Sequence, residues 1–309
     1  RSPRRPSPRT WPLVRRWVFS SAVGSILAPS HAVRRGAYRG SSPPWLRERD
    51  PRFVHEGYHR RRQRRQNSHV PVVSVIVPVL DDVPSLEGAL KSLGDDSRVE
   101  IIVVNAGERT PATIALEHAA PHVCWLMCLP GRGRQMNVGA RQASCDWLLF
   151  LHADTRLPRG WVEEVERAGR PSSLVGGSFR FRLDSASRWA RVLEWGVAAR
   201  VRWLDLPYGD QALFVRRKMF SALGGYRELP LMEDVDFVRR LRRKGPLHHS
   251  TLPAVTSARR WETDGWVRRS VENVLLVLLF LAGVSPSWLA SRYRRGARAQ
   301  DRGPRVRVA

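Results

Sequence analysis

Trp147-Leu-Leu-Phe-Leu-His-Ala-Asp-Thr155 decides the fold, because a continuously apolar run stops at a polar pair. Five apolar residues without alternation are typical of a strand that is covered on both faces. His152 and Asp154 follow directly, at the carboxyl end of that strand. Ligands of open α/β sheets bind beyond such ends, so this position is a candidate site.

Further strands and helices precede this run. Two motifs indicate helices: one opens at Pro84 and ends at Gly94, and Thr110-Pro111 supplies a cap and first-turn proline for another. A third helix follows the glycines at 131 and 133. The buried strands that alternate with these helices are predicted at residues 70–78, 100–104 and 123–127. This rhythm predicts an α/β fold with a doubly wound, mostly parallel sheet.

The pattern changes beyond residue 170. Gly176 to Leu183 alternates apolar and polar residues, as an antiparallel or edge strand does, and Ala212 to Val215 is another short strand. We therefore expect one catalytic domain with appendages. The predicted segments are a basic disordered tail or spurious start at 1–69, the catalytic domain at 70–265, an apolar, amphipathic helix at 266–295, and a basic tail at 296–309.

The chain is strongly basic, with a formal net charge of +25. Residues 1–70 contain 17 arginines and no lysine, against three acidic residues. A basic surface suits nucleic acid, anionic lipid headgroups or a phosphorylated substrate, and charge alone does not choose among them. The basic segment has few interleaved aromatics and no recognisable nucleic-acid module, so nucleic acid is the weakest of these partners.

Three motifs could carry chemistry. Gly131-Arg-Gly-Arg-Gln-Met-Asn137 opens a helix with a basic glycine loop, in which Arg132 and Arg134 could clamp phosphate. Asp154 could hold a divalent ion that balances a diphosphate, with His152 as a second ligand, or it could cap the helix near Pro158. Glu233-Asp234 begins a helix, where the pair is either a cap or a general base, Asp234, oriented by Glu233.

Residues Val72 to about Tyr293 resemble glycosyltransferase family 2, the inverting enzymes with the GT-A fold. More narrowly they resemble the bacterial subgroup of radical-SAM/selenodomain-associated transferases. Five ordered blocks carry the resemblance: Gly131–Ala140, Leu149–Thr155, Tyr208-Gly-Asp-Gln211, Pro230-Leu-Met-Glu-Asp234 and Thr256–Trp261.

The resemblance implies roles for individual residues. On the donor side it implies that Pro78 and Asp82 line the base and ribose pocket, and that Asn105 stands where relatives have an aspartate that reads uracil. His152-Ala-Asp154 stands where the family has Asp-x-Asp and would bind Mg²⁺ or Mn²⁺. Asp234 is then the catalytic base. The remaining implied contacts are Arg260 at the diphosphate, and Asp210, Gln211 and Trp261 on the acceptor side.

The expected function is transfer of a sugar from a nucleotide-diphosphate sugar, of UDP type, to an acceptor hydroxyl that the sequence does not identify. A nucleotidyltransferase on a similar sheet is an alternative, but it would favour a glycine-rich loop with lysine after the first strand, which Val79-Leu-Asp-Asp-Val83 lacks. A non-enzymatic nucleic-acid-binding protein is the other.

Residues 274–284 are continuously apolar but too short to span a bilayer, which takes about 20 residues. Arginines flank them, and Trp266 and Trp288 lie nearby. The segment is either a buried helix or a membrane-interface anchor. The expected location is cytoplasmic, or peripheral on the inner face of the membrane.

Overall fold

The computed structural model describes residues 72–301, which contain a mixed sheet of eight strands. In chain order these are β1 Val73–Val79, β2 Val99–Asn105, β3 Cys124–Met127, β4 Trp147–Phe150, β5 Thr155–Arg156, β6 Gly176–Leu183, β7 Leu213–Arg216 and β8 Leu247–Thr256. Their order across the sheet is β3-β2-β1-β4-β7-β6-β8-β5.

Helices connect the strands and extend the chain beyond them. They are α1 Val83–Leu93, α2 Pro111–Ala119, α3 Arg132–Gln142, α4 Trp161–Gly169, α5 Arg188–Leu204, α6 Arg217–Ala222, α7 Glu233–Leu241, α8 Arg259–Asp264, α9 Trp266–Leu281 and α10 Pro286–Asp301. A single 3₁₀ turn at Gly209–Gln211 precedes β7.

Strands β3, β2, β1 and β4 run parallel and form the first half of the sheet. Successive side chains of a strand point to opposite faces. Val75 and Val77 accordingly join a core shared with α1 and α4, whereas Ile76 joins a second core shared with α3 and α7. Both faces of these strands are covered, as their unbroken apolar runs predict. The predicted doubly wound, mostly parallel α/β sheet is confirmed.

The second half of the sheet reverses direction. Strand β7 is antiparallel to both β4 and β6, and β6 pairs in parallel with β8. The alternating stretch Gly176–Leu183 is therefore antiparallel on one side, as predicted, but it lies inside the sheet and not at an edge. Because β7 is antiparallel to β4, the turn before β7 lies beside the end of β4.

The C-terminal segment predicted as one helix at 266–295 consists of two, α9 and α10. Gly283, with φ +93°, and Pro286 lie at the break. Leu276 and Val277 of α9 pack against Met232 and Val235. No helix among residues 72–301 is long and apolar enough to cross a membrane. The predicted basic tail at 1–69 lies outside the described residues, as do residues 302–309 of the C-terminal tail.

Candidate active site

Three segments meet at the carboxyl end of β4. His152 and Asp154 follow that strand, the 3₁₀ turn Gly209–Gln211 lies beside it, and α7 brings Asp234. The Gly209 N–H donates a hydrogen bond of 2.9 Å to Oδ2 of Asp234, and the Val235 N–H donates one of 2.8 Å to Oδ1. Backbone donors thus fix the Asp234 carboxylate against the turn.

Gly209 lies between His152 and Asp234. A Cβ atom at Gly209 would lie 2.8 Å from Nε2 of His152 and 3.3 Å from Oδ2 of Asp234. The site therefore needs glycine here for space. His152 and Asp234 are far apart in the chain, and the structure brings both side chains close to Gly209.

The His152 imidazole is neutral and its Nε2 is buried. Burial, and then the positive charge of Arg132, lower the pKa of His152 to about 3. Its Nε2 has no hydrogen-bond partner among residues 72–301. A neutral ring nitrogen without a partner is available to accept a hydrogen bond or to bind a metal.

Asp210 belongs to the same cluster. The pKa of Asp210 is raised to about 6: burial is the largest cause, Arg200 opposes it, and the charges of Asp234 and Asp154 add to it. Its Oδ1 is also buried without a partner in the described part of the chain. Three carboxyl groups therefore influence one another here, which suits a site that receives a cation or a donor hydroxyl.

Arg132 supplies positive charge to the cluster and pairs with Glu233. Nε of Arg132 lies 3.3 Å from Oε1 of Glu233. The charge of Glu233 is the largest cause that raises the pKa of Arg132, and Asp234 and Asp154 add to it. Burial raises the pKa of Glu233, against the charge of Arg132. Arg134 instead forms an exposed ion pair of 2.7 Å with Glu228, so Arg132 is the arginine of the glycine loop that faces the acidic residues.

Much of the glycine-arginine motif is structural, a role that sequence reasoning missed. Nε2 of Gln135 donates to the carbonyl oxygens of Val79 and Val104, at 2.8 and 2.9 Å, and ties together the ends of β1 and β2. The amide of Asn137 exchanges two hydrogen bonds with the Tyr226 backbone. The two amide residues in the first two turns of a predicted helix are the sequence signal that could have indicated this.

The predicted base-side residues lie around the ends of β1 and β2. Pro78 is buried within β1, and Oδ1 of Asn105 accepts a hydrogen bond of 2.9 Å from the Gly107 N–H. Asp82 caps α1 through Ser85. A cavity of about 80 Å³ lies here, lined by Val79, Asp81, Val83, Leu86, Asn105, Glu108, Thr110 and Thr113.

Arg259 is a further residue that the sequence interpretation missed. It forms an ion pair of 2.8 Å with Asp82, whereas Arg260 was the predicted neighbour of the donor. Burial alone would raise the pKa of Asp82, but the hydrogen bonds from Ser85 and Arg259 lower it overall. Arg260 is exposed, and its charge contributes to the lowered pKa of His152, so both arginines face the site from α8.

The predicted acceptor-side residues differ in what their side chains do. Gln211 is buried and hydrogen-bonded to Arg200, to the Tyr208 N–H and to the Phe179 carbonyl, so it positions the turn. Trp261 packs edge-on against Phe181, and its buried Nε1 has no partner within the described range.

No group of three or more His, Cys, Asp or Glu side chains that could hold a metal ion occurs among the described residues. Asp154 does not cap a helix: α4 begins at Trp161 after Gly160, without a side-chain cap. That alternative is wrong. The Asp154 carbonyl accepts a hydrogen bond from Ser257, which fixes its backbone beside α8. Its side chain is partly exposed.

This mixed sheet, with parallel strands first and a polar cluster at the end of β4, is the GT-A fold of nucleotide-diphospho-sugar transferases. Residues 74–230, about half of the chain, match the family model for glycosyl transferase family 2. The chain belongs to that family.

Two crystal structures of S. aureus TarS 1-349 are similar to this chain. One, in complex with UDP-GlcNAc, has a TM-score of 0.44 and 13% identity over 60% of this chain and 58% of TarS. The other has a TM-score of 0.44 and 12% identity over 77% and 75%. This chain thus spans less than two thirds of the first TarS structure. A search of curated proteins found no match.

Proposed function

We propose that this protein is an inverting glycosyltransferase. It would transfer a hexose from a nucleotide-diphosphate sugar to an acceptor hydroxyl. One observation carries the proposal: His152, Gly209 and Asp234 meet at the carboxyl end of β4, in a chain of glycosyl transferase family 2. The five blocks between Gly131 and Trp261 favour the radical-SAM/selenodomain-associated subgroup.

Asp234 is the proposed general base. Its two oxygens are oriented by the Gly209 and Val235 N–H groups, and its carboxylate takes the acceptor proton as the hydroxyl attacks the anomeric carbon. Arg132 faces the same acidic cluster and is held by Glu233, so it is the first candidate to balance the charge of the departing diphosphate. Arg260 and Arg134 are further candidates.

Asp154 and His152 are the proposed ligands of Mg²⁺ or Mn²⁺. The residues fit, because such an ion commonly takes one or two carboxylates plus substrate phosphates, and Nε2 of His152 is buried without a partner in the described region. When bound, the ion would supply positive charge to the leaving diphosphate. Asp154 and His152 would hold it at the carboxyl end of β4.

Asn105, at the end of β2, and Asp82, the cap of α1, would contact the nucleotide, which we propose is of UDP type. Asp210 and Trp261 would border the acceptor, and Gln211 would support them. We further propose a cytoplasmic protein that attaches peripherally to the inner face of the membrane.

Replacement of Asp234 tests the base. Asp234→Asn should lower turnover by about 10² to 10⁴-fold and leave donor binding nearly intact, because the amide keeps the shape but accepts no proton. The measurements are donor consumption, with water as acceptor where no acceptor is known, and the donor-dependent rise in melting temperature.

Asp236→Asn is the matched control. Asp236 lies two residues along α7 and forms ion pairs with Arg227 and Arg240. Its replacement should lower the melting temperature and leave turnover per folded molecule within a few-fold. Parental turnover in Asp234→Asn would refute the assignment of the base.

Donor affinity tests the metal. In the parent protein it should rise with Mn²⁺ and fall with a chelator, and Asp154→Ala should remove this dependence without loss of the cooperative unfolding transition. Asp146→Ala, an exposed carboxylate before β4, is the control. Equal affinity with and without chelator in the parent protein would assign the diphosphate charge to Arg132, Arg134 and Arg260.

A further inference from the structure

Helix α5 carries an apolar stripe on the face that points away from the protein. Trp189, Val192, Trp195 and Trp203 recur on one side of the helix, and Trp195 and Trp203 are 71% and 74% exposed. The opposite side of α5 is buried against β6. Large aromatic residues on an outward face indicate a further contact surface, because a helix that packs only on the core carries polar residues on its outer face.

Helix α9 has the same arrangement and lies against α5. Its inner side packs on Met232 and Val235 through Leu276 and Val277. Its outer side is apolar over four turns, with exposed residues Val267, Val271, Val274, Leu275, Leu278 and Leu281. We call the two outward stripes together the α5–α9 surface.

Arginines border the α5–α9 surface. Arg188 and Arg202 of α5 and Arg268 of α9 are exposed, and Arg292 of α10 lies 5.6 Å over the ring of Trp288. An apolar stripe with tryptophan and arginine at its rim matches the depth profile of a bilayer interface, where rings and guanidinium groups sit at the headgroups.

We propose that the α5–α9 surface docks on a bilayer that contains anionic phospholipid. The apolar stripes enter the headgroup–acyl boundary to a depth of roughly 5–10 Å, and the arginines contact lipid phosphates. This surface is larger than the apolar segment 274–284, because the outward tryptophans of α5 add a second helix to it.

A second copy of the chain fits this surface less well. A twofold interface would bury the same surface patch of both copies, and so would bring two sets of Arg188, Arg202 and Arg268 into one contact region. Like charges at a desolvating contact oppose association, whereas anionic lipid complements them. The chain's net charge of +25 acts in the same direction.

The surface lies one layer from the candidate base. Met232 and Val235 flank Asp234 in the chain and support the inner side of α9. If the proposed function holds, on which this step rests, Asp234 works next to the bilayer, and the acceptor is a hydroxyl carried by a membrane lipid or exposed at its surface.

The test places an environment-sensitive fluorophore, NBD, on single accessible thiols of the full-length protein. Cys124 and Cys145 are buried, and Cys128, which is partly exposed, is replaced by serine in every variant. Labels are introduced through Trp195→Cys, Trp203→Cys and Leu278→Cys, with Arg170→Cys on another element as the control. Vesicles of phosphatidylcholine with phosphatidylglycerol should shift the three surface labels to the blue and leave the control unchanged. Val271→Cys replaces any variant that does not show the parental unfolding transition.

Charge variants provide the second measurement. Arg188→Gln/Arg202→Gln should weaken vesicle affinity by on the order of 20-fold, since each basic side chain near the surface contributes about fivefold. Arg159→Gln/Arg170→Gln should change it by less than about twofold, because neither residue belongs to α5 or α9 and the attraction falls off within a Debye length. Vesicle binding without a blue shift at the surface labels would overturn the proposal, because another part of the chain would then hold the lipid.

A concentration-dependent blue shift without vesicles, together with a doubled molecular mass, would also overturn it in favour of a second copy. Nucleotide-sugar binding is measured separately by thermal shift. Docking without donor binding would refute the proposed function alone, and donor binding without docking would refute the α5–α9 surface alone.

Discussion

Gly209 sets the distance between the two most important side chains of the candidate site. Its N–H binds Asp234, and an added methyl group would lie 2.8 Å from Nε2 of His152. We predict that Gly209→Ala displaces His152 or Asp234 and lowers donor turnover by about 10²-fold, because small misplacements of reacting groups are costly. Turnover and the unfolding transition are measured on the same preparation.

Gly88→Ala is the control for this substitution. Gly88 lies in α1, and an added methyl group meets no atom within 4 Å. Alanine is favoured over glycine in a helix by about 1 kcal/mol, so this variant should be slightly more stable and equally active. Parental turnover in Gly209→Ala would mean that Asp234 and His152 do not act together.

Single residues also show where sequence reasoning stopped. Asp82 was predicted to face the ribose, and the structure adds that it caps α1 and pairs with Arg259. Gln135 was part of a phosphate-binding motif, and its amide instead holds β1 and β2 together. Residue type and spacing indicate polarity at a strand end, but the partner of a side chain depends on chain segments far away in sequence.

Elements were predictable where their signals are local. Thr110-Pro111 fixed the start of α2, α1 ends at Leu93 before the predicted Gly94, and Gly176–Leu183 is a strand over its whole predicted length. Caps, prolines and apolar periods act within one or two turns of the chain, which is why they can be interpreted without the fold.

Strand β8 and the position of β6 were not predictable in this way. Leu247–Thr256 contains two histidines and a proline and lacks a clear alternation, yet it pairs with β6 along its length. His248 contacts Glu164, and His249 contacts Asp205, so packing partners satisfy these polar side chains. Such pairings form only in the assembled sheet, and a local pattern does not contain them.

In the whole molecule, the candidate site lies where the carboxyl ends of the parallel strands meet the antiparallel half of the sheet. A parallel first half ends at Asn105 and His152, and an antiparallel second half returns the chain so that the turn at Gly209 and helix α7 face those ends. The sequence motifs indicated which residues lie in the candidate site, and the resemblance to a family implied the role of each residue. Their contacts depend on the strand order, which reverses after β4.

The last prediction concerns how much of the chain this architecture needs. Residues 72–301 contain β1, the strand between β2 and β4, and two cores that cover both of its faces. Residues 1–67 are rich in arginine, proline and serine and offer little apolar area to bury. A chain beginning at Ser68 should therefore unfold cooperatively and bind the donor with the affinity of the full chain, as measured by calorimetry and thermal shift.

A chain beginning at Leu80, which lacks β1, should show no cooperative transition, because the loss of β1 leaves β2 and β4 unpaired on one side. Loss of the transition already at Ser68 would show instead that the arginine-rich segment contributes to the folded domain.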